Sequence, residues 1–144
     1  MSLSNRMGWS AFGLALSLAM GVSATADVVA VVSSTSPITV LSKAQVTDIF
    51  LGRVSRFPNG TQAIPLDQAD GSPARDEFYA KYAGKSPAQV KSLWAKIIFT
   101  GRGQPPKAVS NDIDIKRQIA GDPRIIGYIE RSALDSSVKV LLQP

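Results

Sequence analysis

The sequence contains no cysteine and no histidine among its 144 residues. Without cysteine the chain has no disulfide framework, no thiolate nucleophile and no lipid-bearing cysteine. Without histidine it lacks the commonest general base at neutral pH and the commonest zinc ligand. The remaining residues suggest no pairing of a nucleophile with a base. We therefore expect a protein that is not an enzyme, with no catalytic residues, no bound metal and no cofactor.

Acidic residues are in the minority, but the imbalance is modest. The chain has 16 Lys and Arg against 11 Asp and Glu, a formal net charge of +5 at pH 7. The basic residues are scattered, and no basic run is interleaved with aromatic side chains as a nucleic-acid surface requires. We therefore expect no nucleic-acid partner. A mild positive bias suits a small anion or an acidic partner, and equally a solvated surface that happens to be basic.

The sequence has no apolar run long enough to remain in a bilayer, but a shorter one lies near its start. Residues 11–24 are uncharged and follow Arg6, and small residues stand at −3 and −1 from the bond between Ala26 and Asp27. This layout is typical of a cleavable secretory signal. The alternative is a buried N-terminal helix, which the glycines of the run would weaken. We predict a signal peptide over 1–26 and one exported, periplasmic domain over 27–144, with no membrane insertion after signal removal.

Strand and helix patterns alternate along residues 27–144. Segments 27–33, 62–67, 125–129 and 138–142 are predicted strands, and helix starts are predicted at Ser42, Ser72 and Ser86 from their capping patterns. The clearest amphipathic stripe is Val90, Leu93, Trp94, Ile97 and Ile98. We expect that helix, from Pro87 to Phe99, to pack across the sheet. The alternation predicts an α/β domain with a mixed sheet flanked by helices.

One strand–turn–helix junction has the features of an anion site. Asp70 and Gly71 form a turn after a predicted strand, and Ser72 caps the helix that follows. The first N–H groups of a helix lack intrahelical partners, and the helix dipole adds positive potential there. Gly71 allows close approach of a ligand, Ser72 offers a hydroxyl and Arg75 offers a bidentate fork. The predicted anion-binding residues are therefore Asp70, Gly71, Ser72 and Arg75, and the alternative is a well-capped helix without a ligand.

Several landmarks occur in an order that resembles the phosphate-binding, periplasmic substrate-binding proteins of ABC importers, and more closely the short proteins similar to them. These landmarks are Leu41–Gly52 (LSKAQVTDIFLG), the turn at Asp70-Gly71-Ser72 with Phe78 after it, Trp94, and the segment Ile126–Ile129. The resemblance implies a single lobe with the periplasmic-binding-protein type 2 fold. It also implies a phosphate-like anion as ligand and a membrane transporter or sensor protein as partner.

The phosphate loop of that family reads Arg-x-Asp-Gly-Ser-Gly-Thr. Aligned with it, Asp70, Gly71 and Ser72 match, whereas this chain has a glutamine, a proline and an alanine in place of the arginine, the second glycine and the threonine. The resemblance therefore leaves two functions open. One is a binding module for phosphate or a related oxyanion, and the other is a ligand-free periplasmic interaction protein that keeps the lobe but has lost the site.

The length of the chain bears on how tightly an anion could be held. Members of the family close two lobes around the ligand, and this chain is about one lobe long. Tighter binding would therefore require a second chain to cover the ligand, for example in a homodimer. In that case Ser34, Thr35 and Ser36 are the expected additional donors.

Overall fold

The computed structural model describes residues 27–144, so the predicted signal peptide lies outside the described residues. The elements follow in the order β1 (Val28–Ser33), α1 (Lys43–Phe50), β2 (Ile64–Gln68), α2 (Pro73–Ala83), α3 (Pro87–Phe99), β3 (Lys107–Val109), α4 (Asp112–Gly121), β4 (Ile125–Glu130), a 3₁₀ helix (Arg131–Ala133) and β5 (Val138–Val140). Within residues 27–144, no helix combines the length and the hydropathy needed to cross a membrane.

The strands of the described chain form one mixed sheet with the order β3-β2-β4-β1-β5. Strand β2 is parallel to both β3 and β4, whereas β1 is antiparallel to β4 and to β5. The carboxyl ends of β2, β3 and β4 therefore meet the amino end of β1 at one end of the sheet, which we call the carboxyl edge. The prediction of an α/β domain with a mixed sheet is confirmed.

Two different cores cover the two faces of the sheet. On the face covered by α1 and α2, the Phe78 ring stacks on the Tyr128 ring with centroids 4.0 Å apart, and Phe50 contacts Phe78 edge-on at 4.7 Å. On the other face α4 contributes Ile115 and Ile119 to an aliphatic core. The aromatic face is the one that connects to the candidate site, because Tyr128 extends from it toward the carboxyl edge.

The predicted helix starts are confirmed by their caps. Ser42 and Ser86 each accept a backbone N–H from the third helical residue, and the side chains of Gln45 and Gln89 accept the N–H groups of the two serines in return. Ser72 caps α2, with proline at the first helical position. These contacts lie within four residues of chain, which is why sequence patterns predict them well.

The expected placement of α3 is wrong. This helix buries only Val90 and Trp94 and contacts chiefly α2, whereas α1 and α2 lie directly on the sheet. Ile98 and Phe99 are 53% and 92% exposed. An amphipathic period shows which side of a helix is apolar but not which element covers it. The sequence analysis also missed β3, because a strand of three residues is too short to show alternation.

Candidate functional site

The turn that joins β2 to α2 lies at the carboxyl edge. Gly71 has a φ of 85°, the left-handed region that favours glycine. The Ser72 hydroxyl donates to Oε1 of Gln68 at 2.8 Å, and Oγ of Ser72 accepts the Arg75 backbone N–H at 3.3 Å. The structure thus brings Asp70, Gly71, Ser72 and Arg75 together at the N-terminus of α2.

Ser34, Thr35 and Ser36 lie at the opposite end of the sheet. They follow the carboxyl end of β1, which pairs with the amino end of β4. Ser36 is 3% exposed, and its hydroxyl accepts the Ile38 N–H at 3.1 Å. The Lys139 ammonium donates to the Ser36 carbonyl. A single chain therefore does not bring these three residues to the α2 terminus, and their use there stays a prediction that needs a second chain.

A buried carboxylate lies beside the turn. Asp67, near the end of β2, is 3% exposed. The Tyr79 hydroxyl donates to its Oδ2 at 2.7 Å, the Tyr128 hydroxyl donates to its Oδ1, and the Gln68 backbone N–H donates to Oδ1 at 2.8 Å. These donors come from β2, α2 and β4, so the carboxylate ties three elements together. We call Asp67 with Gln68, Arg75, Tyr79 and Tyr128 the Asp67 network.

Both tyrosines of the Asp67 network are held as neutral donors. Burial raises the pKa of Tyr128 and of Tyr79 well above the usual value, and the negative charge of Asp67 and the hydrogen bonds to it raise each pKa further. A phenolate beside a buried carboxylate would meet both desolvation and like-charge repulsion. The network therefore keeps its hydrogen bonds throughout the physiological pH range.

The Arg75 guanidinium lies between two carboxylates. Its Nε is 3.5 Å from Oδ2 of Asp67, and its Nη1 is 3.0 Å from Oδ1 of Asp70. Burial opposes the positive charge, but the carboxylates of Asp67 and Asp70 raise the pKa of Arg75 above its ordinary value. The Asp70 side chain is 78% exposed, whereas that of Asp67 is 5% exposed. The Asp70 carboxylate, predicted from the sequence as part of the anion site, would therefore compete with an anion arriving from solvent for the guanidinium.

Gln68 connects the turn to the rest of the domain through its side-chain hydrogen bonds. Its Nε2 donates to Oδ1 of Asp112 at 3.1 Å and to the Tyr128 carbonyl at 3.2 Å, and its Oε1 accepts from Ser72. The side chain is almost fully buried. A neutral amide here orders the turn but adds no positive charge.

Neither Asp67 nor Tyr79 was among the predicted site residues. Tyr128 and Trp94 are both buried, at 0% and 6% exposed. The available signal was an aspartate inside an apolar strand directly before the turn, since such a residue is seldom buried without partners. Within residues 27–144, no three acidic side chains come close enough to hold a metal ion.

Solved structures with a similar fold are described as phosphate-transport proteins. They include a substrate-binding protein of a phosphate ABC transporter with bound phosphate from Clostridium perfringens, with a TM-score of 0.66 and 20% identity over 82% of this chain and 45% of that one. An ABC-type phosphate transport receptor from Vibrio cholerae gives a TM-score of 0.65 and 16% identity over 82% and 46% of the two chains. A third structure, described as a possible phosphate-binding protein from Planctomyces limnophilus, gives a TM-score of 0.61 and 14% identity over 83% of this chain and 43% of that one.

These likenesses confirm the fold expected from the sequence, a single lobe similar to one domain of the phosphate-binding proteins. The chain spans less than half the length of the structures that it matches. No family model matches the sequence, and no curated protein matches it either.

Proposed function

We propose that residues 27–144 form a periplasmic solute-binding lobe for phosphate or a related oxyanion, acting in ABC-type uptake or sensing. The protein would bind the anion and present it to a membrane transporter or sensor protein, without chemical conversion. The observation that carries this proposal is the turn at Gly71 and Ser72, which opens at the carboxyl edge of parallel strands beside Arg75. Ligands of open α/β sheets bind outside the carboxyl ends of strands.

The donors available at this position are few. Pro73 has no N–H, so the first N–H of α2 belongs to Ala74, and it lacks an intrahelical acceptor. Arg75 supplies the one positive side chain of the turn, and its guanidinium becomes available when Asp70 moves aside. The dipole of α2 adds positive potential at the same point. The fold neighbours described as phosphate-transport proteins support the choice of anion.

One lobe leaves much of a bound phosphate in water, so we expect weak binding. A Kd on the order of 1 mM corresponds to about 4 kcal/mol, whereas a closed cleft with a Kd of about 1 μM gains about 8 kcal/mol. Added salt should weaken binding, because exposed charge pairs are screened over about 10 Å at 0.1 M ionic strength. A second chain that covers the anion, as in a homodimer, would raise the affinity.

Titration of ¹⁵N-labelled protein with phosphate and with sulfate, followed by NMR, tests the proposal. We expect the backbone amide signals of Gly71, Ser72 and Ala74 to shift. The shifts should be smaller in Ser72→Ala and in Arg75→Lys. The lysine variant keeps the positive charge but removes the bidentate fork of the guanidinium. The exposed Lys91, on α3, provides the control variant Lys91→Ala. If Ser72→Ala and Arg75→Lys leave phosphate affinity unchanged, the anion binds elsewhere and this assignment is wrong.

A second candidate function is that of a ligand-free periplasmic interaction protein. The observation that favours it is that the polar groups of the turn are already paired, with the Ser72 hydroxyl donating to Gln68 and the Arg75 guanidinium held by Asp67 and Asp70. Thermal unfolding separates the two candidates. If neither phosphate nor sulfate raises the Tm at about 50 mM, far above the Kd of about 1 mM, the binding proposal should be abandoned for this one.

A further inference from the structure

A concave site lies at the carboxyl edge, on the side of β1 and β5. It has a volume of about 330 Å³, and cations from three different elements line it, namely Lys43, Lys81 and Arg131. We call it the basic pocket. Strand β4 separates β1 from β2 in the sheet, so at a strand spacing of about 4.8 Å the two sites begin about 10 Å apart. The basic pocket shares no residue with the Asp67 network.

Positive charge in the basic pocket exceeds the negative charge that faces it. Asp27 is 2.8 Å from the Arg131 guanidinium and 4.0 Å from the Lys81 ammonium. Lys81 also donates to the Val28 carbonyl at 2.8 Å. Among residues 27–144 the Lys43 ammonium has no carboxylate within 4.0 Å. Two of the three cations therefore share one carboxylate and the third has none, so the pocket attracts anions.

Main-chain hydrogen bonds hold the walls of the basic pocket in place. The Leu141 N–H donates to the Ala30 carbonyl at 2.9 Å, and the Leu142 N–H donates to the Thr39 carbonyl at 2.9 Å. The Tyr82 hydroxyl accepts the Ala30 N–H at 3.2 Å, which closes the edge of β1 beyond the end of β5. A ligand would therefore enter a site whose main chain is already in place, and only the cationic side chains would have to be ordered.

We propose that the basic pocket binds a small organic carboxylate that carries a short apolar chain. The three cations suit the carboxylate, and the apolar residues Val140 and Leu142 line the same pocket beside them. Leu142 is 62% exposed, so it has apolar surface to cover. The volume is near the lower end of the 300–1,000 Å³ range that is roughly typical of small-molecule sites. This site is independent of the anion site proposed at α2.

NMR titration of the protein with sodium hexanoate, sodium acetate and 1-hexanol tests the inference. We expect hexanoate to shift the amide signals of Lys43, Lys81 and Arg131 with a Kd on the order of 1 mM. Acetate, which lacks the apolar chain, should bind about tenfold more weakly. Hexanol, which lacks the charge, should leave these signals in place. Equal shifts with hexanol, or equal affinity for acetate and hexanoate, would overturn the proposal.

Two lysine variants locate the binding. Lys43→Gln removes a cation that makes no ion pair in the described chain, so the fold should persist while hexanoate affinity falls about fivefold. Lys91→Gln removes an exposed cation outside the pocket and should leave the affinity unchanged. Arg75→Lys, which tests the α2 site, should also leave it unchanged. Equal weakening by Lys43→Gln and Lys91→Gln, or no shift with hexanoate at about 50 mM, rules out the pocket as the site.

Discussion

The Asp67 network and the basic pocket lie at the same edge of the sheet but differ in how their charges are paired. In the network, one buried carboxylate accepts hydrogen bonds from two tyrosines and a backbone N–H and pairs with Arg75. In the basic pocket, Lys81 and Arg131 share the carboxylate of Asp27, and Lys43 makes no ion pair among the described residues. The difference indicates that the network organises the fold, whereas the pocket keeps charge available for a ligand.

Burial explains why the two regions should respond differently to mutation. The Asp67 side chain is 5% exposed and that of Asp27 is 61% exposed. Removing one partner of a buried pair leaves an uncompensated charge in a poorly solvated site and costs about 3–5 kcal/mol. Exposed ion pairs contribute about 0–1 kcal/mol, because water and salt screen them.

The largest expected effect is that of Asp67→Ala. This variant leaves the Tyr79 and Tyr128 hydroxyls without their acceptor, so we expect the free energy of unfolding to fall by about 3–5 kcal/mol. Urea unfolding followed by circular dichroism measures it. The matched control is Asp27→Ala, for which the loss should be about 1 kcal/mol or less. Equal losses in the two variants would contradict the distinction between the network and the pocket.

The second-largest expected effect is a loss of stability at alkaline pH, which acts through the tyrosines of the Asp67 network. The pKa of Tyr128 and of Tyr79 is raised in the folded chain, whereas the unfolded chain ionises its tyrosines near pH 10. The stabilisation is therefore fully present below about pH 10 and is lost as the pH rises above it, by up to about 1.4 kcal/mol per pH unit for each tyrosine. Urea unfolding at a series of pH values measures this slope, and Tyr128→Phe should flatten it. A slope unchanged in Tyr128→Phe would show that the buried phenol is not its source.

Sequence patterns predicted the turn and the cap of this region but not the Asp67 network. The Ser72 cap and the Gly71 turn depend on neighbouring residues, so their signals are local. The bond between Tyr128 and Asp67 joins residues 61 positions apart. No local pattern shows that β4 lies beside β2, and the packing of α3 on α2 escaped prediction for the same reason.

In the candidate site, too, the sequence predicted the local features but not the contacts between distant residues. The sequence indicated that Arg75 lies one turn into α2, where its fork could reach an anion. Its pairing with Asp67 and Asp70 depends on the tertiary placement of β2 against α2. The residues of the turn therefore indicated that Arg75 is available as a donor, and the structure shows that Asp67 and Asp70 already accept from it.

The smallest expected effect on stability is that of Lys43→Gln in the basic pocket. Because Lys43 makes no ion pair among the described residues, we expect the free energy of unfolding to change by no more than about 0.5 kcal/mol. Urea unfolding beside Lys91→Gln provides the comparison. If Lys43→Gln alone lowered the free energy of unfolding by more than about 2 kcal/mol, Lys43 would stabilise the fold, as the residues of the Asp67 network do.

On the proposed function, an anion at the N-terminus of α2 competes with Asp70 for Arg75. The phosphate affinity of Asp70→Asn against that of the unmodified protein, by NMR titration at low ionic strength, tests this competition. The substitution removes a negative charge 3.0 Å from the guanidinium, so we expect phosphate binding about three- to tenfold tighter, with stability changed by about 1 kcal/mol or less. Phosphate affinity that is unchanged or lower in Asp70→Asn would contradict it.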